Sequence, residues 1–379
     1  MKLAEKKDCC GCGACVNACH FNALRMKKDK YGYLYPYYDE EKCVNCDACT
    51  RSCPVINHEE NSEDICYYVG HIADEKELRK TASGGAATAI ACSFLDVFSG
   101  YIVGCEYEPD KYSCRHIIIS DKTEIGRFSG TKYIQSDKGS IYEKVLKLVL
   151  DKKKILYFGT PCEIAAIKTF LEAHGAGLDN LYTCDLICHG PISDQIQREF
   201  INNCEKKVGS KCTGINPKDK QKANWLDRSL LLYFENGKSI QVPFYQSALG
   251  DAFVNMYRQS CGNCSFKKGR LLSDVTLGDF WGCNIHDQIY QNGGVSLLII
   301  HTKKGEELVQ NMKAAAEFNM KEVPASYALK DNPLYVNRAS SAQREKFIRA
   351  YDKAGIQYAS DKCLNLKGKI KRKLNERTI

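Results

Sequence analysis

The residues best suited to chemistry in this sequence are cysteines near its start, which form two runs with one spacing. The eight cysteines are Cys9, Cys12, Cys15 and Cys19, then Cys43, Cys46, Cys49 and Cys53. Thiolates spaced C-x2-C-x2-C-x3-C bind [4Fe-4S] clusters, and the last cysteine of each run binds the other cluster. We therefore expect one cluster on the first three and Cys53, and a second on Cys43, Cys46, Cys49 and Cys19.

Two other uses of these cysteines, a disulfide framework and paired zinc sites, agree less well with the sequence. Disulfides need an oxidising compartment, and residues 1–8 contain no apolar core of a signal peptide. Zinc sites use C-x2-C pairs and do not need the third and fourth cysteine of each run. Cys10 is surplus to the pattern, and His20 stands where the second run has Pro54. Neither difference removes a ligand.

Composition places the chain among redox proteins of a reducing compartment. It has 379 residues, 22 cysteines and a net charge of +8. So many thiols predict a cytoplasmic, anaerobic setting. No apolar run reaches the ~20 residues of a membrane-spanning helix, and nothing indicates nucleic-acid binding. The basic cluster at 367–373 is either a solvated helix end or a docking patch.

The order of the segments predicts an α+β (mixed α/β) protein. Residues 1–57 form a small domain with two strand-loop-helix units, and a polar linker at 58–64 follows. A larger α/β domain comprises an N-terminal part, 65–150, and a C-terminal part, 151–330. A helical, basic tail covers 331–379.

Four more cysteines in the larger domain predict a third iron–sulfur site. Cys162 and Cys188 each follow a predicted buried strand of one β-α-β unit, and ligands bind beyond the carboxyl ends of such strands. Cys261 and Cys264 form a C-x2-C pair without a second pair nearby. We expect these four thiols to converge on a cluster. A redox-active dithiol or free thiols are the alternatives.

Two loops have residue types that suit a nucleotide. Ser83, Gly84 and Gly85 precede an apolar helix, whose N-terminal amides could bind phosphate or could form a plain helix cap. Residues 129–136 form a hydroxyl-rich loop with one cation, Lys132. Neither pattern is specific by itself.

Taken together, these pieces resemble the coenzyme F420 hydrogenase/dehydrogenase beta-subunit family over nearly the whole chain. The matching segments are the double cysteine run, Ser83-Gly84-Gly85, the loop at 129–136, Gly159-Thr160-Pro161-Cys162, Cys188-His189-Gly190, the Cys261/Cys264 pair, and the stretch from Ser273 to Gly282 that contains Asp279. The family includes deazaflavin-reducing hydrogenase subunits, deazaflavin dehydrogenases, and proteins similar to 7-hydroxymethyl chlorophyll a reductase.

The resemblance implies a bacterial-type ferredoxin domain joined to a larger flavin-binding domain. It implies FAD beside the third [4Fe-4S] cluster, with FAD contacts from Ser83, Gly84, Gly85, Lys132, Thr160 and Asp279. No catalytic residue is assigned, and His189 is a weak candidate proton donor that could equally make a supporting hydrogen bond. Glu163 departs from the family's usual glutamine, and could either shift the flavin potential or face solvent.

The function that follows is electron relay through the clusters to FAD, with hydride transfer to or from a small organic substrate. A ferredoxin or another electron-carrier protein would be the partner, and a homo-oligomer is possible. Three alternatives stay open. The chain could be a coenzyme F420 reductase or dehydrogenase proper, an electron-transfer subunit docking on a catalytic partner, for example in polysaccharide synthesis, or a thiol-based redox sensor.

Overall fold

A computed structural model of the chain describes residues 2–57, 64–220, 225, 228–267, 273–315 and 318–363. Most of the predicted linker and the basic cluster at 367–373 lie outside these residues.

The N-terminal unit consists of two cysteine loops, each leading into a short helix, around one β-hairpin. Its elements are α1 Ala14–Asn17, β1 Leu24–Lys28, β2 Leu34–Tyr38, α2 Ala48–Arg51 and α3 Pro54–Asn57. The residues before α1 and α2, Gly13 and Asp47, have left-handed backbones with φ of 83° and 57°. This conformation turns each loop sharply into its helix.

The larger domain contains twelve of the described strands and nine of the described helices. The strands are β3 Cys66–Ile72, β4 Tyr101–Glu108, β5 Ser113–Ile119, β6 Ser136–Asp137, β7 Ile155–Phe158, β8 Leu181–Leu186, β9 Cys212–Asp219, β10 Ser229–Phe234, β11 Ser239–Pro243, β12 Val275–Asp279, β13 Ser296–Ile300 and β14 Phe318–Glu322. The helices are α4 Glu75–Lys80, α5 Ala86–Phe98, α6 Ile141–Leu150, α7 Pro161–Ala173, α8 Asp194–Val208, α9 Ala248–Asn255, α10 Lys303–Ala315, α11 Ala325–Ala328 and α12 Arg344–Cys363.

Nine of these strands form one mixed sheet in the order β14-β3-β13-β12-β8-β7-β4-β5-β6. Its centre is parallel, because β12, β8, β7 and β4 pair in the same direction. The predicted β-α-β unit is confirmed as β7, α7 and β8, with Ile155 opposite Leu181. The Asn236-Gly237 pair between two apolar runs predicts a hairpin turn, and it joins β10 and β11 of a three-stranded sheet.

One element near the end of the domain differs from the prediction. The sequence pattern predicts a helix from Gly305 through Phe318, but α10 ends at Ala315, and Phe318 opens strand β14. That strand pairs with β3, so that Phe318 lies opposite Ile72. A partner about 250 residues away in sequence therefore decides the conformation of this segment.

The two predicted domains are packed against each other through a shared core. Cys12, Ala14 and Ala18 of the N-terminal unit are buried in one cluster with Tyr142 and Phe170 of α6 and α7. Polar contacts continue the interface, since Asn17 Nδ2 donates to Gly139 O at 2.8 Å. The loop of the β1-β2 hairpin contacts the other side, where Ser193 Oγ donates to Tyr31 O. None of the described helices is long and apolar enough to cross a membrane.

Candidate functional site

The first predicted ligand set brings together cysteines from both runs. Burial, followed by the neighbouring Cys9 and Cys53 thiols, raises the pKa of Cys15 far above its usual value. Burial, together with the Cys9 thiol, also raises the pKa of Cys53. Because thiols affect one another in this way only at short range, Cys53 lies near the first run, and Cys49 also lies within electrostatic reach of Cys15.

The second predicted ligand set surrounds a small cavity. Cys19, Cys43, Cys46 and Cys49 all line it, with Phe21, Ala23, Leu24 and Val44 as apolar neighbours. Cys46 is exposed, as are Phe21 at 49% and Val44 at 55% of their surface. Of the two ferredoxin-type sites, this one is therefore closer to solvent.

The third set, Cys162, Cys188, Cys261 and Cys264, converges from three separate segments of the chain. Burial raises the pKa of Cys188 to about 12, and the nearby Cys162 and Cys264 thiols add to the rise. Burial, followed by the Cys188, Cys162 and Cys264 thiols, likewise raises the pKa of Cys261. All four thiols therefore lie within electrostatic reach of one another.

The backbone around the third set is shaped for this convergence. Gly190 has a φ of 124°, and a Cβ atom there would lie 2.9 Å from both the Cβ and the Sγ of Cys261. Cations surround the loops, because Lys267 Nζ donates to Cys188 O at 2.6 Å and Arg338 Nε to Cys264 O at 3.0 Å. Nearby positive charge suits four thiolates on an anionic cluster. The donor set and its surroundings therefore fit a [4Fe-4S] cluster.

Within the described ranges, no three His, Cys, Asp or Glu side chains are arranged to hold a single metal ion.

The surplus Cys10 lies between two of the thiol sets. Its thiol is in hydrogen-bonding contact with both Cys12 and Cys162. The first ferredoxin-type site and the third site are therefore neighbours.

The first of the predicted FAD contacts is the Ser83-Gly84-Gly85 turn. At the Ser83-Gly84-Gly85 turn the amides already have acceptors, since Gly84 N donates to Ser296 Oγ at 2.9 Å and Gly85 N to Ala82 O at 3.0 Å. Ser83 Oγ donates to Val295 O. This turn packs α5 tightly onto the sheet.

Lys132 lies at a polar cavity of about 280 Å³. Its ammonium donates to Phe128 O at 2.6 Å and to Ser129 O at 2.9 Å. Hydroxyls, amides and a second cation share this cavity, whose polar lining comprises Lys80, Tyr107, Ser129, Thr131, Lys132, Gln197 and Asn216. This donor set suits a phosphate or a ribose.

Asp279 is the last residue of β12 and lies beside Lys218, a partner that the sequence did not predict. Lys218 Nζ forms an ion pair with Asp279 and lies 4.8 Å from the centre of the Trp281 ring. Trp225 stacks on Trp281 with ring centres 5.1 Å apart. Asp279 also lies near Tyr133, the neighbour of Lys132. Asp279 and the loop at 129–136 therefore border one region.

Lys220 is a second buried lysine in this region. Its Nζ donates to the carbonyls of Leu78, Ser83 and Gly293 at 2.5 to 3.1 Å. Burial and the nearby charge of Lys218 lower the pKa of Lys220 to about 7, whereas the three carbonyls favour its ammonium form. The lysine-rich sequence of 218–222 predicts a possible docking surface, but Lys218 and Lys220 are buried. Lys222 lies outside the described residues.

Thr160 and Glu163 belong to the third cysteine site. Thr160 Oγ1 lies 3.3 Å from Cys162 Sγ, and Thr160 N donates to Glu163 Oε2 at 2.8 Å in a capping box at the start of α7. Glu163 also forms a buried ion pair with Lys138. Glu163 therefore does not face solvent.

His189 packs as an aromatic ring. Its ring centre lies 4.6 Å from that of Phe253, and Tyr257 meets its other side edge-on. Burial lowers the pKa of His189, so that its neutral form is favoured. Its Nδ1 makes no hydrogen bond to any described residue.

Two family models match the chain. Residues 152–326 match the family described as the C terminus of the coenzyme F420 hydrogenase/dehydrogenase beta subunit. Residues 8–57 match the 4Fe-4S dicluster domain. The second match supports the two clusters expected on the N-terminal cysteine runs.

Similar proteins come from methanogenic archaea. An uncharacterized protein of Methanocaldococcus jannaschii is 26% identical over 80% of this chain and 86% of its own length. The F420-dependent formate dehydrogenase subunit beta of the same organism is 22% identical over 68% of this chain, and the alignment spans 62% of that subunit.

A chain in the structure of the F420-reducing [NiFe] hydrogenase complex from Methanosarcina barkeri has the same fold. It aligns with a TM-score of 0.50 and 18% identity over 80% of this chain and 94% of its own length. The chain thus combines a segment that matches the 4Fe-4S dicluster domain with a segment that matches the C terminus of the coenzyme F420 hydrogenase/dehydrogenase beta subunit.

Proposed function

We propose that this chain is an iron–sulfur flavoprotein oxidoreductase that relays electrons through three [4Fe-4S] clusters to FAD. The clusters exchange single electrons, and two electrons with one proton make up the hydride exchanged with an organic substrate. Bound FAD would supply this two-electron chemistry, which iron–sulfur clusters lack. An electron-carrier protein such as a ferredoxin would be the partner of the N-terminal domain.

The single observation that carries the proposal is the convergence of Cys162, Cys188, Cys261 and Cys264. These residues come from three segments and have no common local spacing, so only the fold brings them together. Contact of Cys10 with both Cys12 and Cys162 connects this site with the ferredoxin domain. A structural role alone would not need four converging thiols near the domain interface.

The cavity at Lys132 supports an FAD site. Lys132 and Lys80 would offset the charge of a diphosphate, and Ser129, Thr131 and Asn216 offer hydrogen bonds to phosphate and ribose. Asp279 and Lys218 would orient the flavin end of the ligand. The turn at Ser83 would contribute through its packing, because its amides are already engaged.

Iron content tests the third cluster directly. The Cys264→Ser variant, purified and reconstituted without oxygen, should lose about four iron atoms per chain and keep the spectrum of the other two clusters. Cys92→Ser, a partly buried cysteine in α5 outside all three sets, is the matched control and should lose none. Unchanged iron in Cys264→Ser would favour a dithiol or free thiols instead.

Coenzyme F420 is the first substrate to test, since the similar formate dehydrogenases have this coenzyme in their names. Mixing the oxidised protein with reduced coenzyme should restore the absorbance of the oxidised deazaflavin and reduce the FAD. No change, with other hydride donors active, would assign a different organic substrate to the same machinery.

A second candidate function is that of an electron-transfer subunit. The formate dehydrogenase relatives are themselves named as subunits, and the similar fold comes from a hydrogenase complex. Under this proposal the chain copurifies with a catalytic partner in fixed stoichiometry and turns over no small molecule alone. Turnover by the isolated chain would contradict it.

A further inference from the structure

Arg258 is a buried cation at the junction of the ferredoxin domain and the larger domain. It is only 1% exposed and lies 249 residues from the loop that it contacts. Its Nε donates to Cys9 O at 2.8 Å, and its Nη2 donates to Leu34 O at the same distance. Arg258 therefore holds both the first cysteine loop and the β-hairpin.

The guanidinium lies against the ligand loop itself. Its Nη2 is 4.0 Å from Cys9 Sγ, and its Cζ is 4.0 Å from the centre of the Tyr35 ring. A Cβ atom on Gly11, which has a φ of 67°, would lie 2.6 Å from the guanidinium. Glycine at this position therefore allows the cation to approach the loop.

No carboxylate among the described residues forms an ion pair with Arg258. Its remaining polar partner is neutral, because Nη1 donates to Gln135 Oε1 at 3.0 Å. Burying an unpaired cation is costly, so a nearby negative charge is expected. The thiolates and cluster at Cys9 would supply that charge.

The backbone of Arg258 belongs to the loop that presents the third cysteine set. Arg258 N donates to Pro191 O, three residues after Cys188, and Cys261 N donates to Arg258 O at 3.0 Å. Gln135 completes the junction, since its Nε2 donates to Cys10 O and Gly11 O at 3.3 and 3.1 Å. One residue thus connects the loops of two neighbouring sites.

We propose that Arg258 is a positioning residue that fixes the Cys9 loop against the Cys261 loop and raises the reduction potential of the cluster bound by Cys9. Reduction adds negative charge to a cluster, and a fixed cation in a dry interface favours the more negative form. The effect of Arg258 on the reduction potential requires only the ferredoxin-type cluster bound by Cys9. The connection to a third cluster rests on the proposed function.

Redox titration of the intact protein, followed by electron paramagnetic resonance, tests the inference. In Arg258→Gln, one ferredoxin-type cluster should become harder to reduce. We expect its reduced-to-oxidised ratio to fall about tenfold at a fixed potential, equal to about 59 mV for a one-electron couple. Arg344→Gln is the matched control. Arg344 stacks on Tyr257 in the same region and donates to Asn255 O, and its variant should titrate like wild type.

Two further variants separate charge from folding. Arg258→Lys keeps the charge and should show a smaller shift than Arg258→Gln. Gln135→Glu keeps Arg258 but gives it a carboxylate partner, and should make the same cluster harder to reduce. Wild-type potentials in both Arg258→Gln and Gln135→Glu, with full iron content, would overturn the inference.

Iron analysis of the same samples keeps the two proposals distinguishable. About eight irons per wild-type chain would contradict the third cluster. A shift in Arg258→Gln would still support the tuning of the Cys9 cluster. About twelve irons without any shift would overturn the role of Arg258 and leave the proposed function standing.

Discussion

Cys10 is the cysteine of the first loop that the ligand spacing does not use. Its thiol contacts both the Cys12 and the Cys162 thiols, in the narrow space between two predicted cluster sites. We therefore expect Cys10 to occupy this position without binding iron. A small, polarizable side chain fills the gap where the two domains meet.

Replacing Cys10 with serine should therefore leave the iron content unchanged, because all four ligands of each cluster remain. Cys12→Ser, two positions away, should lose about four irons. Iron and acid-labile sulfide analysis of both variants after anaerobic reconstitution checks this. A loss of about four irons in Cys10→Ser would mean that Cys10 is itself a ligand.

We expect Lys220 to stabilise the larger domain. Ser83 O and Gly293 O are buried and receive their hydrogen bonds from its ammonium. Lys220→Met keeps much of the side-chain volume but leaves these carbonyls without that donor, which should lower the free energy of unfolding by at least about 2 kcal/mol.

Urea unfolding of the holoprotein without oxygen measures this change. Lys76→Met on the exposed face of α4 is the control, and it should change the unfolding free energy by less than about 0.5 kcal/mol. Equal stabilities of the two variants would show that Lys220 is dispensable for the packing of the Ser83 turn.

At the scale of residues, the sequence predicts a site well where its residues are close together along the chain. The cysteine runs are predictable because loop geometry requires their thiols at fixed intervals. The burial of Lys218 and Lys220 is not, because a lysine-rich stretch normally faces solvent. Their partners, Asp279 and Gly293, lie more than 60 residues further along the chain.

At the scale of elements, helix α7 positions both Thr160 and Cys162 at the third site. Thr160 and Glu163 form the capping box at its start, and Glu163 reaches Lys138 from the neighbouring loop. The side chains of Glu163 and Lys138 are only 12% and 3% exposed. The carboxylate that departs from the family's glutamine thus serves a buried ion pair.

This ion pair predicts a non-additive pair of substitutions. Glu163→Gln should destabilise the fold by about 3 kcal/mol, because it leaves Lys138 buried without its counter-charge. The double variant Glu163→Gln with Lys138→Met should recover part of that loss, because no unpaired charge remains.

Urea unfolding of the single and double variants gives the coupling energy. Glu172→Gln, on the exposed side of the same helix, is the control and should behave like wild type. Strictly additive effects of Glu163 and Lys138 would contradict a functional ion pair.

Element prediction succeeded for the β-α-β unit and failed at β14. The unit from Ile155 to Leu186 has a buried strand, a capped helix and a second buried strand in direct succession, and each signal is local. Phe318 follows a helical pattern without a break, and the exposed edge of β3 decides its conformation. The pairing of a segment with a distant edge strand cannot be predicted from the sequence of that segment alone.

At the scale of the whole molecule, the domain contacts define an order of sites. The exposed cavity at Cys43 and Cys46 faces outward, the Cys9 site lies at the interface, and the third cysteine set lies beyond Cys10. The polar cavity at Lys132 also lies in the larger domain, and we propose that it is the terminal site. We propose that electrons travel in this order or its reverse.

The most direct test of this account is the content of iron, acid-labile sulfide and flavin in protein purified and reconstituted without oxygen. The account predicts about twelve irons, an equal amount of sulfide and one FAD per chain. About eight irons and no flavin would contradict it, and would limit the chain to a ferredoxin domain on a fold without its own hydride chemistry.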